Sequence, residues 1–251
     1  DGAADDTRYD TSGAVGLAIN ASETAQGGGL LGDVTLESTA IIRLLDSLER
    51  VDADEDFIFD GITLDQDTLD TDDDVYLAGA FAQDSGRIGL HVMSQMQGNL
   101  FTQSGSSISV TTNDGYGVKV DANISGNLDL RGDISLIGSD VPGGGSQAAV
   151  LINSGVDITG AYRQGGRVNV LGEGAYGLLV EGTVGGSFQI DGSITATGFQ
   201  TIAGNNSGFV AADDETPLDE NELKQGGGAV KLSGGMAKGV LINGKINSRR
   251  S

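Results

Sequence analysis

The sequence predicts an all-β chain, a single right-handed parallel β-helix (β-solenoid) with acidic loop or short-helix excursions, and three observations carry that expectation. The stretch Tyr116 to Gly138, YGVKVDANISGNLDLRGDISLIG, recurs without a gap at Tyr176 to Gly198, YGLLVEGTVGGSFQIDGSITATG, at a constant offset: 178 − 118 = 60. Each copy is a series of very short alternating runs, V-x-V, L-x-L and I-x-L, separated by Gly or Asn/Asp corners, the pattern of a coil in a stacked parallel array. Glycine is abundant at 42 residues and proline scarce at 2. That balance suits tight corners between strands that must keep every backbone donor for a ladder. Alternation then places Val118, Val120, Leu128, Leu130, Ile134, Val180, Phe188, Ile190 and Ile194 on the inward side.

Residues 1–12 are polar and read as an N-terminal arm, and the array is expected over 13–247. Its first coil is irregular, with Val15, Leu17 and Ile19 alternating, then Val34 and Leu36 after a Gly27-Gly28-Gly29 corner. Ala40 to Arg50 changes period: Ile41, Leu44, Leu45 and Leu48 lie at helical spacing, which predicts a short helix capping or flanking the open end of the array, with another strand as the alternative. Excursions are expected at 40–76 and 209–226, because long polar insertions cannot continue an inward apolar ladder. Coils resume at Ser85 with Ile88, Leu90 and Val92, then Leu100 and Phe101, then Ile108 and Val110. A looser coil follows between Ala148 and Val170, and Val230, Leu232, Val240, Ile242 and Ile246 make the last one. Residues 248–251 read as a tail. Counting about six to eight coils at ~4.8 Å each gives a rod of roughly 30 to 40 Å.

Lys and Arg total 14 against 36 Asp and Glu, a formal net charge of −22. Nucleic acid and anionic membrane surfaces are therefore poor partners, and calcium or a basic partner a better one. The acidic stretch 51–75 begins with Asp52, Asp54 and Asp56 at EF-hand spacing, but Phe57 stands where that loop needs glycine and Thr63 where it needs a bidentate glutamate. Asp65, Asp67, Asp70, Asp72, Asp73 and Asp74 still offer the oxygen ligands that Ca²⁺ takes, against the plainer reading of a solvated acidic loop. Cysteine is absent, so disulfides and thiolate metal sites play no part. No window is apolar enough to span a bilayer, and DGAADDTRYD has neither a basic region nor an apolar core, so any signal peptide is expected to have been removed.

Catalytic signals are weak. His91, the single histidine, is expected on the outward side of a strand, and no G-x-S-x-G elbow exists. Thirty-six acidic residues guarantee close carboxylate pairs, so such pairs carry no information. Arg131, Arg163 and Arg167 form the one plausible cationic cluster for an enzyme acting on acidic polysaccharide; the absence of tryptophan and an aromatic content of 5 % argue against sugar-stacking subsites, though Tyr116, Tyr162 and Tyr176 remain available. Arg131-Gly132-Asp133 spells the RGD tripeptide of many integrin ligands, yet Gly132 is matched by Gly192 in the sister copy, which a corner explains.

The units GAYGLLVEGTVGGSFQIDGSITATGF and DGYGVKVDANISGNLDLRGDISLIG resemble the passenger repeats of bacterial autotransporters and related surface β-helix proteins. The resemblance covers Ser85 to Asn247 well and Gly13 to Leu36 loosely. It implies a secreted chain displayed at the bacterial outer-membrane surface, non-enzymatic, structural or adhesive, with surface polymers, other proteins or further copies as partners. No ten-residue amphipathic strands of the translocator-barrel kind are present, so display as a passenger fragment or by another route is expected. A β-helix enzyme acting on polysaccharide is the competing reading.

Overall fold

The computed structural model describes residues 13–21, 29–45, 85–138, 147–172, 174–197 and 228–249. Every element among them is a β-strand, and every strand pairing is parallel. Three six-stranded sheets are visited in one fixed order, six times over. The first passage uses β1 (Val15–Ile19), β3 (Val34–Leu36) and β4 (Ile41–Leu44). The second uses β5 (Ile88–Val92), β7 (Leu100–Thr102) and β8 (Ser107–Thr111). The third uses β9 (Tyr116–Val120), β10 (Leu128–Leu130) and β11 (Asp133–Ile137). The fourth uses β12 (Ala148–Ile152), β14 (Tyr162–Gln164) and β15 (Val168–Leu171). The fifth uses β16 (Tyr176–Val180), β18 (Phe188–Ile190) and β19 (Ser193–Thr197). The sixth uses β20 (Val230–Leu232), β21 (Val240–Ile242) and β22 (Lys245–Arg249). Between the first and second sheets run the two-residue strands β2 (Leu30–Leu31), β6 (Met96–Gln97), β13 (Asp157–Ile158) and β17 (Thr183–Val184). Single bridges through Ile124 and Met236 complete that column.

Each passage, called a turn below, sets its apolar residues on those of its neighbours. Val118 pairs with Leu90 on one side and Val150 on the other, and Val150 pairs in turn with Leu178. The 60-residue offset therefore spans two turns, because the fourth turn lies between the two clean copies. The nine residues expected to face inward are all 0–1 % exposed and belong to one core drawn from all three sheets.

Two expectations are corrected. Ile41 to Leu44 is a strand, not the start of a helix: Ile42 and Leu44 stack under Ile108 and Val110, and parallel pairing satisfies their backbone. The helical spacing arose because Ile41 and Leu45 face outward, 64 % and 55 % exposed. The array thus includes 41–44, inside the span expected to leave it, and β22 carries it through Ser248 and Arg249 into the expected tail. The arm at 1–12, residues 46–84 and the second excursion at 209–226 lie outside the described residues.

In the first sheet, successive residues Gly117 and Val118 both face the core. Tyr116 and Lys119 face out together, with the Lys119 Nζ 5.2 Å from the Tyr116 ring centre. A Cβ on Gly117 would lie 2.6 Å from Ile134 Cγ2 and 2.6 Å from the Ala149 carbonyl oxygen. The same pairing of glycine with isoleucine occurs at Gly16 with Ile42, Gly89 with Ile108 and Gly177 with Ile194. In the fourth turn the equivalent positions hold Ala149 and Val168, one methyl gained and one lost. We predict that Gly117→Ala costs about 1–3 kcal/mol by overpacking, and that Ile134→Val relieves part of that cost. A double-mutant cycle by urea denaturation should show a coupling of about 1 kcal/mol. Strict additivity would break the proposed size exchange.

The fourth turn also buries polar groups. Tyr162 is fully buried, stacked on Phe188 with ring centres 4.7 Å apart, and its hydroxyl donates to Gln164 Oε1 at 3.0 Å. Gln164 Nε2 donates to the Leu130 and Gly166 carbonyl oxygens. These partners matter because a buried polar atom left without one costs about 1–3 kcal/mol.

Candidate functional site

Polar side chains concentrate at three places on the outward surfaces. The first is the corner entering the second sheet. Asp33 Oδ1 accepts from the Asn99 backbone N–H (2.7 Å) and Nδ2 (2.9 Å). Asn99 Oδ1 accepts the same pair of bonds from Asn127 (2.8 and 3.0 Å), and Asn127 Oδ1 accepts from the Ala161 N–H (2.8 Å). Side chains of one turn thus satisfy the corner donors of the next, as stacked Asn ladders do in cross-β arrays.

The second place is the outward side of the first sheet. Asp121, just after β9, gathers three donors: His91 Nε2 lies 2.7 Å and Lys119 Nζ 3.0 Å from Oδ2, and Asn153 Nδ2 donates to Oδ1 at 2.9 Å. His91 does face outward, but at 8 % exposure it is not an open surface residue. Burial acts to raise the Asp121 carboxyl. Hydrogen bonds from His91, Asn153 and Lys119 outweigh it and hold the group below the usual carboxylate range. Beside it, burial and then the charges of Asp121, Asp114 and Glu181 push the Tyr116 phenol up. Tyr116 and Tyr176 border an apolar cluster of Ala148, Leu151 and Leu179 on this side.

The third place holds the arginines. Arg131 grips Asp129 with Nε at 3.0 Å and Nη2 at 2.6 Å, and Arg163 Nε meets Asp191 at 2.7 Å. Arg167 meets Asp133 with Nη2 at 2.8 Å and its backbone N–H at 3.0 Å. The three cationic groups that the competing polysaccharide reading would draw on are thus each engaged with a carboxylate. The RGD tripeptide is divided in the same way: Arg131 pairs with Asp129, Asp133 with Arg167, and Gly132 sits in a corner stack. Tyr162, one of the three tyrosines the sequence left available for stacking, is in the core.

The six aspartates expected to bind calcium, Asp65, Asp67, Asp70, Asp72, Asp73 and Asp74, lie outside the described residues. Among the described residues no cluster of three or more His, Cys, Asp or Glu is placed to hold a metal ion, and no helix is long and apolar enough to cross a membrane.

No family model, no curated protein and no solved structure matches this chain. What its surfaces do must come from the arrangement itself.

Asp121, Asp133 and Asp191 are all held below their ordinary values by bonds to neighbouring turns. A depressed carboxylate contributes stability that is present above its unfolded pKa, ~3.9, and is lost as pH falls through the folded value. The loss should therefore set in as pH falls below about 4 and be complete only below each group's lowered folded value. Because the other carboxylates titrate in the same window, the comparison is with Asp121→Asn. Thermal melts should show the wild type losing more on acidification than the variant, by about 1 kcal/mol after solvent screening. Equal losses would remove Asp121 from the set of stabilising groups.

Proposed function

We propose that the chain is a right-handed parallel β-helix that serves as a non-enzymatic structural or adhesive protein outside the cell or at the bacterial surface, in the manner of an autotransporter passenger. The right hand follows from the general rule that crossovers between parallel strands of one sheet are right-handed. One observation carries the functional reading. The outward Asp, Asn and Arg side chains bond from turn to turn, Asp33 to Asn99 to Asn127, Arg163 to Asp191, Arg167 to Asp133, so the polar surface holds the stack together. Chemistry on a polymer asks for the opposite, charged groups left free and converging on one cleft. A scaffold asks for length, rigidity and a polar exterior. Purified protein is expected to leave pectin and alginate intact over long incubation. Turnover of either, lost on changing Arg131 or Arg167, would overturn the reading.

A further inference from the structure

We propose that Lys119 and Asn153 react with each other, so that an isopeptide bond closes between the third and fourth turns with loss of ammonia. The groups that such a transamidation needs are already in contact. Lys119 Nζ is 3.0 Å from Asp121 Oδ2, and Asn153 Nδ2 donates to the other oxygen of the same carboxylate at 2.9 Å. One carboxylate therefore holds the nucleophile and the leaving nitrogen side by side. On the far side of the amide, the Ser154 backbone N–H donates to Asn153 Oδ1 at 2.8 Å, which polarises the carbonyl where negative charge develops during attack.

The fold produces this arrangement. Lys119 on β9 pairs with Leu151 on β12, and the Asn153 N–H donates to the Val120 carbonyl, so Asn153 falls beside Asp121, two residues further along both chains. Lys119 and Asn153 are then diagonal neighbours on the outward side, a separation of roughly 7–8 Å that a lysine stem spans. The Lys119 and Asp121 side chains are 21 % and 27 % exposed. The lysine stands between His91 and Leu151, its neighbours in the second and fourth turns, both nearly buried. Such screening limits the water that competes with the amine for the carbonyl.

The step balances without a co-reactant. Asp121 takes a proton from the Lys119 ammonium, the freed lone pair forms the Nζ–Cγ bond, and negative charge passes to Asn153 Oδ1. Asp121 returns its proton to Nδ2, the carbonyl reforms, the Cγ–Nδ2 bond breaks and ammonia leaves. The extra proton still on Nζ departs through the same carboxylate and ends on the released ammonia as ammonium, leaving Asp121 as it began. His91 Nε2, 2.7 Å from Oδ2, is a positioning residue that fixes the carboxylate between its two partners. Burial notwithstanding, the bonds from His91, Asn153 and Lys119 keep Asp121 a weak base, so closure is a slow maturation of the folded chain. The inference stands apart from the structural role proposed above, since the chain acts once and on itself.

Intact-mass spectrometry of the full chain, fresh and after weeks in mildly alkaline buffer, tests this. The wild type should move to a mass below that of its sequence by one ammonia. Trypsin should then fail to cut after Lys119 and should release residues 88–131 joined to residues 132–163. Lys119→Arg keeps a cation beside Asp121 but offers no amine, and Asn153→Ala removes the carbonyl. Both should keep their full mass. Asp121→Ala should slow closure about a hundredfold or more, the loss expected for a proton-transferring group. The joined peptide is read on the wild type, so the test stands even where a variant fails to fold. A wild type that keeps its full mass or loses ammonia without the joined peptide would overturn the proposal. So would an ammonia loss at Asn153 that persists in Lys119→Arg, which is the asparagine cyclising on the Ser154 nitrogen, or an Asp121→Ala variant that closes at the wild-type rate.

Discussion

Gly166→Ala is expected to destabilise the protein by about 3 kcal/mol, at the upper end of overpacking costs, whereas Gly165→Ala next to it should cost about 1 kcal/mol or less. A Cβ on Gly166 would overlap the Gly132 carbonyl oxygen and stand 2.7 Å from that of Arg131. Those atoms belong to the backbone of the preceding turn. They cannot retreat, because Gly192 repeats the contact against Gly166 and Gly244 repeats it against Gly192. One methyl would therefore pry apart a corner whose spacing is set at ~4.8 Å by the ladders on either side. A Cβ on Gly165 meets only the Arg131 Cγ at 3.2 Å and its Cα and Cβ at 3.6 Å, and the side-chain atom has room to give. Chemical denaturation of the two variants measures the contrast. Equal costs would mean that the corner glycines are not stacked.

Phe188→Ala should cost about 3–5 kcal/mol, the range for removing a buried aromatic ring. The ring is fully buried and stacked on Tyr162, so truncation both opens a cavity and strips one face of the neighbouring ring. Tyr162 is held at its other end by the bond to Gln164 and cannot simply follow the void. Leucine fills the same column as Leu100 and Leu128. Phe188→Leu should accordingly retain most of the stability, losing about 1–2 kcal/mol from volume and stacking. An alanine variant within 1 kcal/mol of wild type would place the ring outside a closed core.

The sequence made the interior legible because alternation is a local signal. V-x-V or I-x-L identifies the inward residues whichever turn lies above them, and Val118, Leu128 and Ile134 are where that pattern puts them. What stacks on what was harder to see, since turns differ in length and only the third and fifth are alike enough to align. The ladder of Asp33, Asn99 and Asn127 had a signal, a Gly-Asp or Gly-Asn pair directly before each short apolar run, at 32–33, 98–99 and 126–127. It fades at Ala161 and Ser187. His91 with Asp121 left no such trace, because the two residues stand at different places in consecutive turns and meet only across the ladder. The burial of Tyr162 was not legible for a physical reason: nothing local reveals that Gln164, two residues on, receives its hydroxyl inside the core.

The stacking of consecutive turns is tested most directly by paired cysteines in this cysteine-free chain. Ser135 lies beside Asn169, and Asn169 beside Thr195, on the outward side of the third sheet. Adjacent strands at ~4.8 Å bring Cα atoms within the 4.4–6.8 Å that a disulfide spans, while strands two apart, at roughly 10 Å, are out of reach. On mild oxidation, Ser135→Cys with Asn169→Cys should lose its free thiols as a monomer, and Ser135→Cys with Thr195→Cys should keep them. Closure of the second pair, or of neither, would contradict the stacked turns.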